Sequence, residues 1–322
     1  MPGTGWMRTK GRPGSGAAAP VGLVGAPCDV AAGTRGATMG PEALRVAGLA
    51  DALSGLGYRV HDRGNLAGPA NPGRPRENGY RHLAETTEWV RAVDGAAGAA
   101  LDAGEMPVCL GGDHAMSLGS IAAVARRCRA VGVPLAVLWL DAHADFNTAE
   151  TSPSGNIHGM PVAMLCGDGP EALCCPEQAR PILTPDQVIQ VGVRSVDAME
   201  KRAIVARGLT VHDMRSIDER GLRDIMDGVL SDLQARGAHL HVSFDVDVLD
   251  PGIAPGVGTP VPGGLNYREA QLCMEMIHDS GCLGSLDIVE VNPALDTGNC
   301  TARVAVELAE SLFGEQILAR VL

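Results

Sequence analysis

Residues 134–145 read Pro-Leu-Ala-Val-Leu-Trp-Leu-Asp-Ala-His-Ala-Asp, an apolar run that ends in two aspartates and a histidine. An uninterrupted apolar run of this length is typical of a strand that is buried on both faces of a parallel sheet. In an extended chain, side chains at positions i, i+2 and i+4 share one face. We therefore expect Asp141, His143 and Asp145 to converge at the end of this strand.

Two further segments repeat this pattern of apolar residues followed by side chains that can bind metals. Residues 239–247 read His-Leu-His-Val-Ser-Phe-Asp-Val-Asp, so Asp245 and Asp247 are expected to share a face at the end of a second strand. His114 closes the sequence Gly-Gly-Asp-His at 111–114. Carboxylates crowded at the ends of buried strands repel one another unless a positive charge lies among them.

Six side chains in these segments together predict a dinuclear metal centre. The four aspartates carry about four negative charges at neutral pH, which two divalent cations would neutralise. Carboxylates that bridge two ions allow six ligands to fill two sites. Histidine and carboxylate without a thiolate suit Mn²⁺, Co²⁺, Ni²⁺ or Zn²⁺ and disfavour a structural zinc site of the cysteine type. The predicted ligands are His114, Asp141, His143, Asp145, Asp245 and Asp247.

Strand and helix patterns alternate along the whole chain. Strands are predicted at about 20–26, 58–61, 106–111, 135–141, 187–193, 209–213, 239–247 and 284–291. Helical patterns begin near Pro41 and cover about 81–103, 117–131, 197–207, 217–236, 267–279 and 300–313. This alternation predicts a three-layer α/β/α fold with a central, mostly parallel sheet of eight strands. Ligands of such sheets bind beyond the carboxyl ends of the strands, where the predicted metal ligands fall.

The composition is that of a globular protein with a large core, since 45% of the 322 residues are hydrophobic and 20% are charged. We expect a disordered tail at residues 1–18 and a single catalytic domain from 19 to 322. A formal net charge of −12 argues against nucleic acid as a partner, because phosphate binding needs clustered Lys and Arg. No apolar run approaches the roughly 20 residues that span a membrane. Nine scattered cysteines without a disulfide or zinc spacing indicate reduced thiols and a cytoplasmic protein.

Several stretches resemble the arginases of the ureohydrolase family and occur in the family's order. Besides 111–114, they are Asp-Ala-His-Ala-Asp-Phe-Asn (141–147), Ser-Gly-Asn-Ile-His-Gly (154–159), Ser-Phe-Asp-Val-Asp-Val-Leu-Asp-Pro (243–251), Gly-Thr-Pro-Val-Pro-Gly-Gly-Leu (258–265) and Glu-Val-Asn-Pro-Ala-Leu-Asp-Thr-Gly-Asn (290–299). The resemblance covers about residues 20–315. The metal-binding stretches are similar to the whole family, whereas 147–158 and 290–299 are closer to arginase than to agmatinase.

This resemblance implies an arginase-like fold and the hydrolysis of L-arginine to L-ornithine and urea. It implies one Mn²⁺ held by His114, Asp141, Asp145 and Asp245, and a second held by His143, Asp141, Asp245 and Asp247. Two such ions lower the pKa of a bridging water, so that hydroxide is available at neutral pH. Members of the family commonly form homotrimers or homohexamers, so a homo-oligomer is also expected.

Roles in catalysis follow from the same stretches. Asp145 is expected to pass a proton towards the leaving amine, and His158 to exchange protons with solvent, since an unperturbed histidine pKa of about 6.5 suits that exchange. Glu290 ends an apolar strand and is expected to orient the substrate guanidinium. Thr259 is expected to support Glu290 from a neighbouring loop.

Recognition of the amino-acid end of the substrate is expected to rest on loops. Asn147, Ser154 and Asn156 are neutral donors that suit an α-carboxylate, and Asp197 is expected to bind the α-ammonium group, with Glu200 acting through water. Animal-type arginases usually have an acidic residue where this chain has Ser195. One negative charge is therefore missing near the ammonium group, which predicts weaker recognition there or altered subunit contacts.

Other functions remain open at this point. The substrate could be another guanidino compound, such as agmatine or 4-guanidinobutyrate, although agmatine has no carboxylate for the polar loop at 147–156. A deacetylase of related fold would use one zinc, which six ligands disfavour. A protein that binds arginine or ornithine without catalysis is the third alternative, but such proteins usually lose ligands, and this chain keeps all six.

Overall fold

The computed structural model describes residues 19–174 and 181–318, so the tail predicted at 1–18 lies outside the described residues. The strands are β1 (Val21–Ala26), β2 (Val60–Asn65), β3 (Met106–Gly111), β4 (Leu135–Leu140), β5 (Val188–Val193), β6 (Thr210–Asp213), β7 (His239–Asp245) and β8 (Leu283–Val289). They form one sheet in the order β2-β1-β3-β8-β7-β4-β5-β6, and every pairing between them is parallel.

Helices cover both faces of this sheet, which confirms the predicted fold class. They are α1 (Gly40–Val46), α2 (Leu49–Gly55), α3 (Leu83–Asp102), α4 (Ser117–Val131), α5 (Pro161–Leu165), α6 (Glu171–Cys174), α7 (Ala198–Arg207), α8 (Met214–Arg220), α9 (Leu222–Arg236), α10 (Tyr267–Ser280) and α11 (Cys300–Phe313). Within the described ranges, no helix is both long enough and apolar enough to span a membrane.

Strand β4 is apolar throughout because each face of the sheet packs against its own layer of helices. Side chains of β4 alternate between two apolar clusters, with Leu135, Val137 and Trp139 in one and Ala136, Leu138 and Leu140 in the other. Helices α3 to α7 contribute to the first cluster, and α1, α2 and α8 to α11 to the second. A strand covered on both faces needs no polar alternation. The buried face of α11 lies in the second cluster.

Two predicted element boundaries were wrong. Strand β2 lies at Val60–Asn65 rather than 58–61; it is an edge strand of mostly exposed polar residues, so its sequence lacks the apolar run that marks the central strands. The helix predicted over 217–236 is two helices, because Gly221 between α8 and α9 has φ 85° and ψ 138°, a conformation that breaks the helix.

The four central strands bring the candidate ligands to one edge of the sheet. Strands β3, β8, β7 and β4 are neighbours in that order, and because they are parallel, their carboxyl ends lie together. His114 follows β3, Asp141 follows β4, Asp245 ends β7 and Glu290 follows β8. The candidate site therefore lies at the carboxyl edge, as expected for an open α/β sheet.

Candidate metal centre and substrate cavity

The first group of candidate ligands surrounds the His114 imidazole. Its Nδ1 atom lies 3.1 Å from Oδ2 of Asp141, 3.2 Å from Oδ2 of Asp145 and 3.0 Å from Oδ2 of Asp245. All four side chains are almost completely buried. Three carboxylate oxygens thus converge with one ring nitrogen in a space closed to solvent.

The second group surrounds His143, which is partly exposed. Its Nδ1 atom lies 3.4 Å from Oδ1 of Asp141 and 3.1 Å from Oδ2 of Asp247. Asp141 contributes one carboxylate oxygen to each group, so this residue joins the two. All six predicted ligands are therefore brought together, in two groupings that could each hold an ion.

The ligands converge through tight turns rather than through the strand alternation that the sequence suggested. Strand β4 ends at Leu140, and the His143 N–H donates to Oδ1 of Asp141 at 2.6 Å, while Asp145 has a left-handed φ of 50°. In a strand, positions i and i+4 would be about 13 Å apart, too far to share an ion. Asp247 likewise lies in a 3-10 turn, Val246–Val248, where its N–H donates to Asp245 at 2.8 Å.

The His114 ring is held so that its Nδ1 lone pair faces the carboxylates. Its Nε2 atom lies 2.9 Å from the Ser243 hydroxyl, and the Trp139 ring stacks on it with a centroid distance of 3.9 Å. The buried Nδ1 atom has no hydrogen-bond partner. Two ligand atoms that bind one ion at about 2.1 Å and at right angles lie about 3 Å apart. The spacing around His114 therefore fits a metal ion.

Electrostatics favour a cation in the same place. Burial and the neighbouring carboxylates raise the pKa of Asp245 and of Asp247, and the same two causes raise the pKa of Asp145 to about 7. Burial lowers the pKa of His143, but the hydrogen-bonded carboxylates of Asp141 and Asp247 outweigh it and raise that pKa to about 12. Each of these shifts reflects uncompensated negative charge, which a divalent cation bound among the carboxylates would neutralise.

A cavity of about 260 Å³ lies above these groups. Every side chain predicted to contact the substrate or to act in catalysis lines it: Asp145, Asn147, Ser154, Asn156, His158, Asp197, Glu200, Thr259 and Glu290. Ser152 and Ser195 line it as well, although the sequence analysis assigned Ser152 no role. The predicted residues are thus assembled in one place, and their individual roles stay predictions.

Glu290 and His158 form a buried ion pair inside the cavity. Glu290 follows β8 with φ 63°, and its Oε1 atom lies 2.9 Å from Nδ1 of His158 and accepts the His114 N–H at 2.9 Å. Burial lowers the pKa of His158, but the Glu290 carboxylate outweighs it and raises that pKa to about 9. Burial raises the pKa of the Glu290 carboxyl group, but the charge of His158 outweighs this effect and holds that pKa below its usual range. The pair is therefore charged at neutral pH.

The side chains that were predicted to bind the amino-acid end of the substrate form the rim of the cavity. A hydrogen bond joins two of them across its mouth. The Asn147 amide donates to Oδ2 of Asp197 at 3.1 Å, and Asp197 is exposed. Glu200 is buried and accepts from the N–H groups of Phe146 at 2.8 Å and Asp197 at 3.1 Å, which caps α7. Both Glu200 oxygens thus bind backbone, and the predicted contact through water stays a prediction.

The partner predicted for Thr259 was wrong. Its hydroxyl donates to Oδ2 of Asp247 at 3.1 Å rather than supporting Glu290. The loop that carries Thr259 packs along the end of β7, where Leu249 and Leu265 form a parallel bridge. Thr259 therefore supports a candidate metal ligand.

Some residues that shape the site gave weak or no signal in the sequence. Ser243 lies two residues before Asp245 on β7 and could have been found from that alternation. Arg76 and Arg81 could not have been found in this way. They lie in or beside residues 68–79, whose sequence is typical of an exposed loop. Arg81 donates to the Ser154 carbonyl at 3.2 Å, and Arg76 to those of residues 152 and 153 at 3.4 and 3.3 Å. Both hold the polar loop at the rim.

A family model, relatives of similar sequence and solved structures all point to the same family. A family model described as the arginase family matches residues 19–314. An arginase from Brucella melitensis is 44% identical over 299 residues, covering 92% of this chain and 97% of its own. The solved arginase structure from Bacillus caldovelox has a TM-score of 0.88 at 41% identity, covering 93% of this chain and all of its own. A formimidoylglutamase from Bacillus subtilis shares the fold, with a TM-score of 0.72 at 24% identity over 91% of this chain and 86% of its own.

Proposed function

The chain belongs to the arginase family, and we propose that it hydrolyses L-arginine to L-ornithine and urea. It is a hydrolase that acts on a guanidino C–N bond, as members of this family are. One observation carries the choice of arginine. The cavity has two His and Asp groupings at its floor, while its rim presents an exposed aspartate beside neutral hydrogen-bond donors. This arrangement suits a guanidinium at one end and an amino acid at the other.

We assign two Mn²⁺ ions to the floor. The residues that would hold them are His114, Asp141, Asp145 and Asp245 for the first ion, and His143, Asp141, Asp245 and Asp247 for the second. The two groupings that share Asp141 support a count of two, whereas the choice of manganese follows the family. When bound, two such ions make water a nucleophile at neutral pH by lowering its pKa.

Glu290 orients the substrate guanidinium in this proposal. Its carboxylate is buried in the cavity wall, and the bonds to His114 and His158 both use Oε1. We assign Oε2 to the guanidinium, because a charge-assisted bond in a buried site both binds and aligns the substrate. The guanidinium carbon is stabilised by delocalisation and reacts slowly, so alignment contributes to the rate.

His158 exchanges protons with solvent and, through Asp145, supplies the proton that the leaving amine takes up. Its pKa of about 9 keeps the ring protonated at neutral pH. A substrate guanidinium that binds Glu290 adds a positive charge beside the ring and lowers this pKa, which makes His158 a stronger acid once substrate is present. Asp145 lines the same cavity, so its carboxylate can carry the proton between His158 and the amine.

The rim selects the amino-acid end. Asp197 receives the α-ammonium group, and Asn147, Ser154 and Asn156 donate to the α-carboxylate. The bond between Asn147 and Asp197 keeps the two halves of this recognition site at a fixed spacing. Ser195 lines the cavity without a charge, so Asp197 is the carboxylate that we assign to the ammonium group there.

A substrate panel tests this proposal. The full-length protein is dialysed against a chelator, Mn²⁺ is restored, and urea is measured from L-arginine, agmatine and 4-guanidinobutyrate at equal concentration. We expect the highest rate from L-arginine. Faster release from agmatine would contradict the arginine proposal and leave the family assignment intact, and metal-dependent urea from none of them would favour a non-catalytic binding protein. The cytoplasmic location and the homotrimer or homohexamer stay predictions.

A further inference from the structure

Arg194 binds an unusual number of backbone carbonyl groups beside the metal centre. The residue follows β5, and its guanidinium donates to five carbonyl oxygens at 2.7 to 3.2 Å. These oxygens belong to Gly192, Asp247, Val248, Leu249 and Val261. The planar fork of an arginine can reach several acceptors at once, which the point charge of a lysine cannot.

Three of these carbonyls belong to successive residues, 247–249, at the turn that carries Asp247. Carbonyl groups at the end of a helical turn lack partners within the turn and carry partial negative charge. Arg194 supplies both a donor and a positive charge to them. The Asp247 backbone is therefore fixed on both sides, since its N–H donates to Asp245 and its carbonyl accepts from Arg194.

The bond to Val261 extends this support to the Asp247 carboxylate. Val261 belongs to the loop at 258–265, and two guanidinium nitrogens donate to its carbonyl at 3.1 and 2.7 Å. Thr259 in the same loop donates to Oδ2 of Asp247, the oxygen that faces His143. Arg194 thus holds the loop that orients this carboxylate.

The backbone of Arg194 also holds the segment that carries His143, another ligand of the second group. The N–H groups of Arg194 and Ser195 both donate to the carbonyl of Ala142, at 2.8 and 2.9 Å, and Ser195 forms a parallel bridge with His143. His114 in the first group is held differently, by Ser243 at its ring and by Glu290 at its N–H. Arg194 therefore supports His143 and Asp247, the two ligands that belong to the second group alone.

We propose that Arg194 is a positioning residue that sets the affinity of the second metal site by fixing the spacing of His143 and Asp247. The inference rests on the two-ion centre proposed above. Loss of residues that orient metal ligands typically weakens binding about 10- to 100-fold. An effect confined to one of two neighbouring sites separates this role from a general loss of stability.

The test is a calorimetric titration of the metal-stripped, full-length protein with MnCl₂. The wild type is expected to show two binding steps, of which the second is the one that His143→Ala abolishes, whichever ion binds first. Arg194→Lys keeps the charge but cannot reach five carbonyls, so it is expected to weaken the second step about tenfold or more and leave the first within about threefold. Equal weakening of both steps, or no change in either, would overturn the proposal. A wild type that binds one ion would instead contradict the two-ion centre itself.

Two further variants keep the result interpretable. Arg129→Gln is the matched control, because Arg129 also donates to backbone carbonyls, those of Pro181 and Ile182, away from the cavity; both steps should be unchanged. If Arg194→Lys does not fold, Thr259→Val removes the hydroxyl that reaches Asp247. It should weaken the second step alone by about threefold to tenfold. No change, or equal changes in both steps, would overturn the proposal.

Discussion

The floor and the rim of the cavity are built in different ways. On the floor, Asp141 and Asp245 are buried at or just after strand ends, and each carboxylate accepts a backbone N–H from the residue two positions later. On the rim, Ser154 and Asp197 are exposed and lie on loops that distant residues hold in place. A metal site needs charges fixed to fractions of an ångström, which rigid strand ends provide. A substrate rim on loops can change specificity while the sheet stays the same.

The largest effect is expected at the residue that joins both halves of the floor. Asp141→Asn removes the charge shared by the two groups, so we expect loss of both ions and a fall in urea release of more than about 1,000-fold, or about 4 kcal/mol. Metal content by mass spectrometry and a urea assay measure this, with circular dichroism as the check on folding. Retention of two ions and of a rate within tenfold of wild type would refute the shared role.

A smaller loss is expected from a ligand of one group only. His143→Ala should release one ion, retain the other and lose most activity, because His114 and its partners remain intact. The same metal analysis and urea assay apply. Full activity with one ion bound would argue against a dinuclear mechanism.

On the rim, removal of a charge should weaken substrate binding and leave the bound metal ions in place. Asp197→Ala is expected to raise KM for L-arginine about 10-fold or more, with two ions still bound, because a hydrogen bond to a charged group contributes about 1.5–3 kcal/mol. A guanidino acid of the same length without the α-amino group, 5-guanidinopentanoate, should show little change. Equal increases for both substrates would remove Asp197 from its assigned role.

The smallest effect is expected from a residue that supports the rim of the cavity without being assigned a contact with the substrate. Arg81→Gln removes the bond to the Ser154 carbonyl and should raise KM for L-arginine about threefold while leaving kcat and metal content unchanged. Arg215→Gln is the matched control, since Arg215 pairs with Glu219 on the exposed face of α8 and such pairs contribute little. If Arg81→Gln behaved like this control, the support assigned to Arg81 would be unnecessary.

The same contrast explains what the sequence could and could not predict. The floor is local: the apolar runs of β4 and β7 lead directly into Asp141 and Asp245, so their residues indicated both the strands and the site. The turns after those strands were not predicted, because few aspartates adopt a left-handed φ even though Asp is enriched there, so residue type alone does not mark Asp145. The supports of the rim and of Asp247, such as Arg81 and Arg194, depend on segments that meet only in the folded chain.

We expect the hydrolysis of arginine to need both ions on the floor of the cavity. The most direct measurement adds MnCl₂ stepwise to the metal-stripped protein and records urea from L-arginine against the number of ions bound per chain. We predict little urea up to one ion and a steep rise as the second ion binds. A full rate with one ion bound, or urea release that does not depend on metal, would contradict the account.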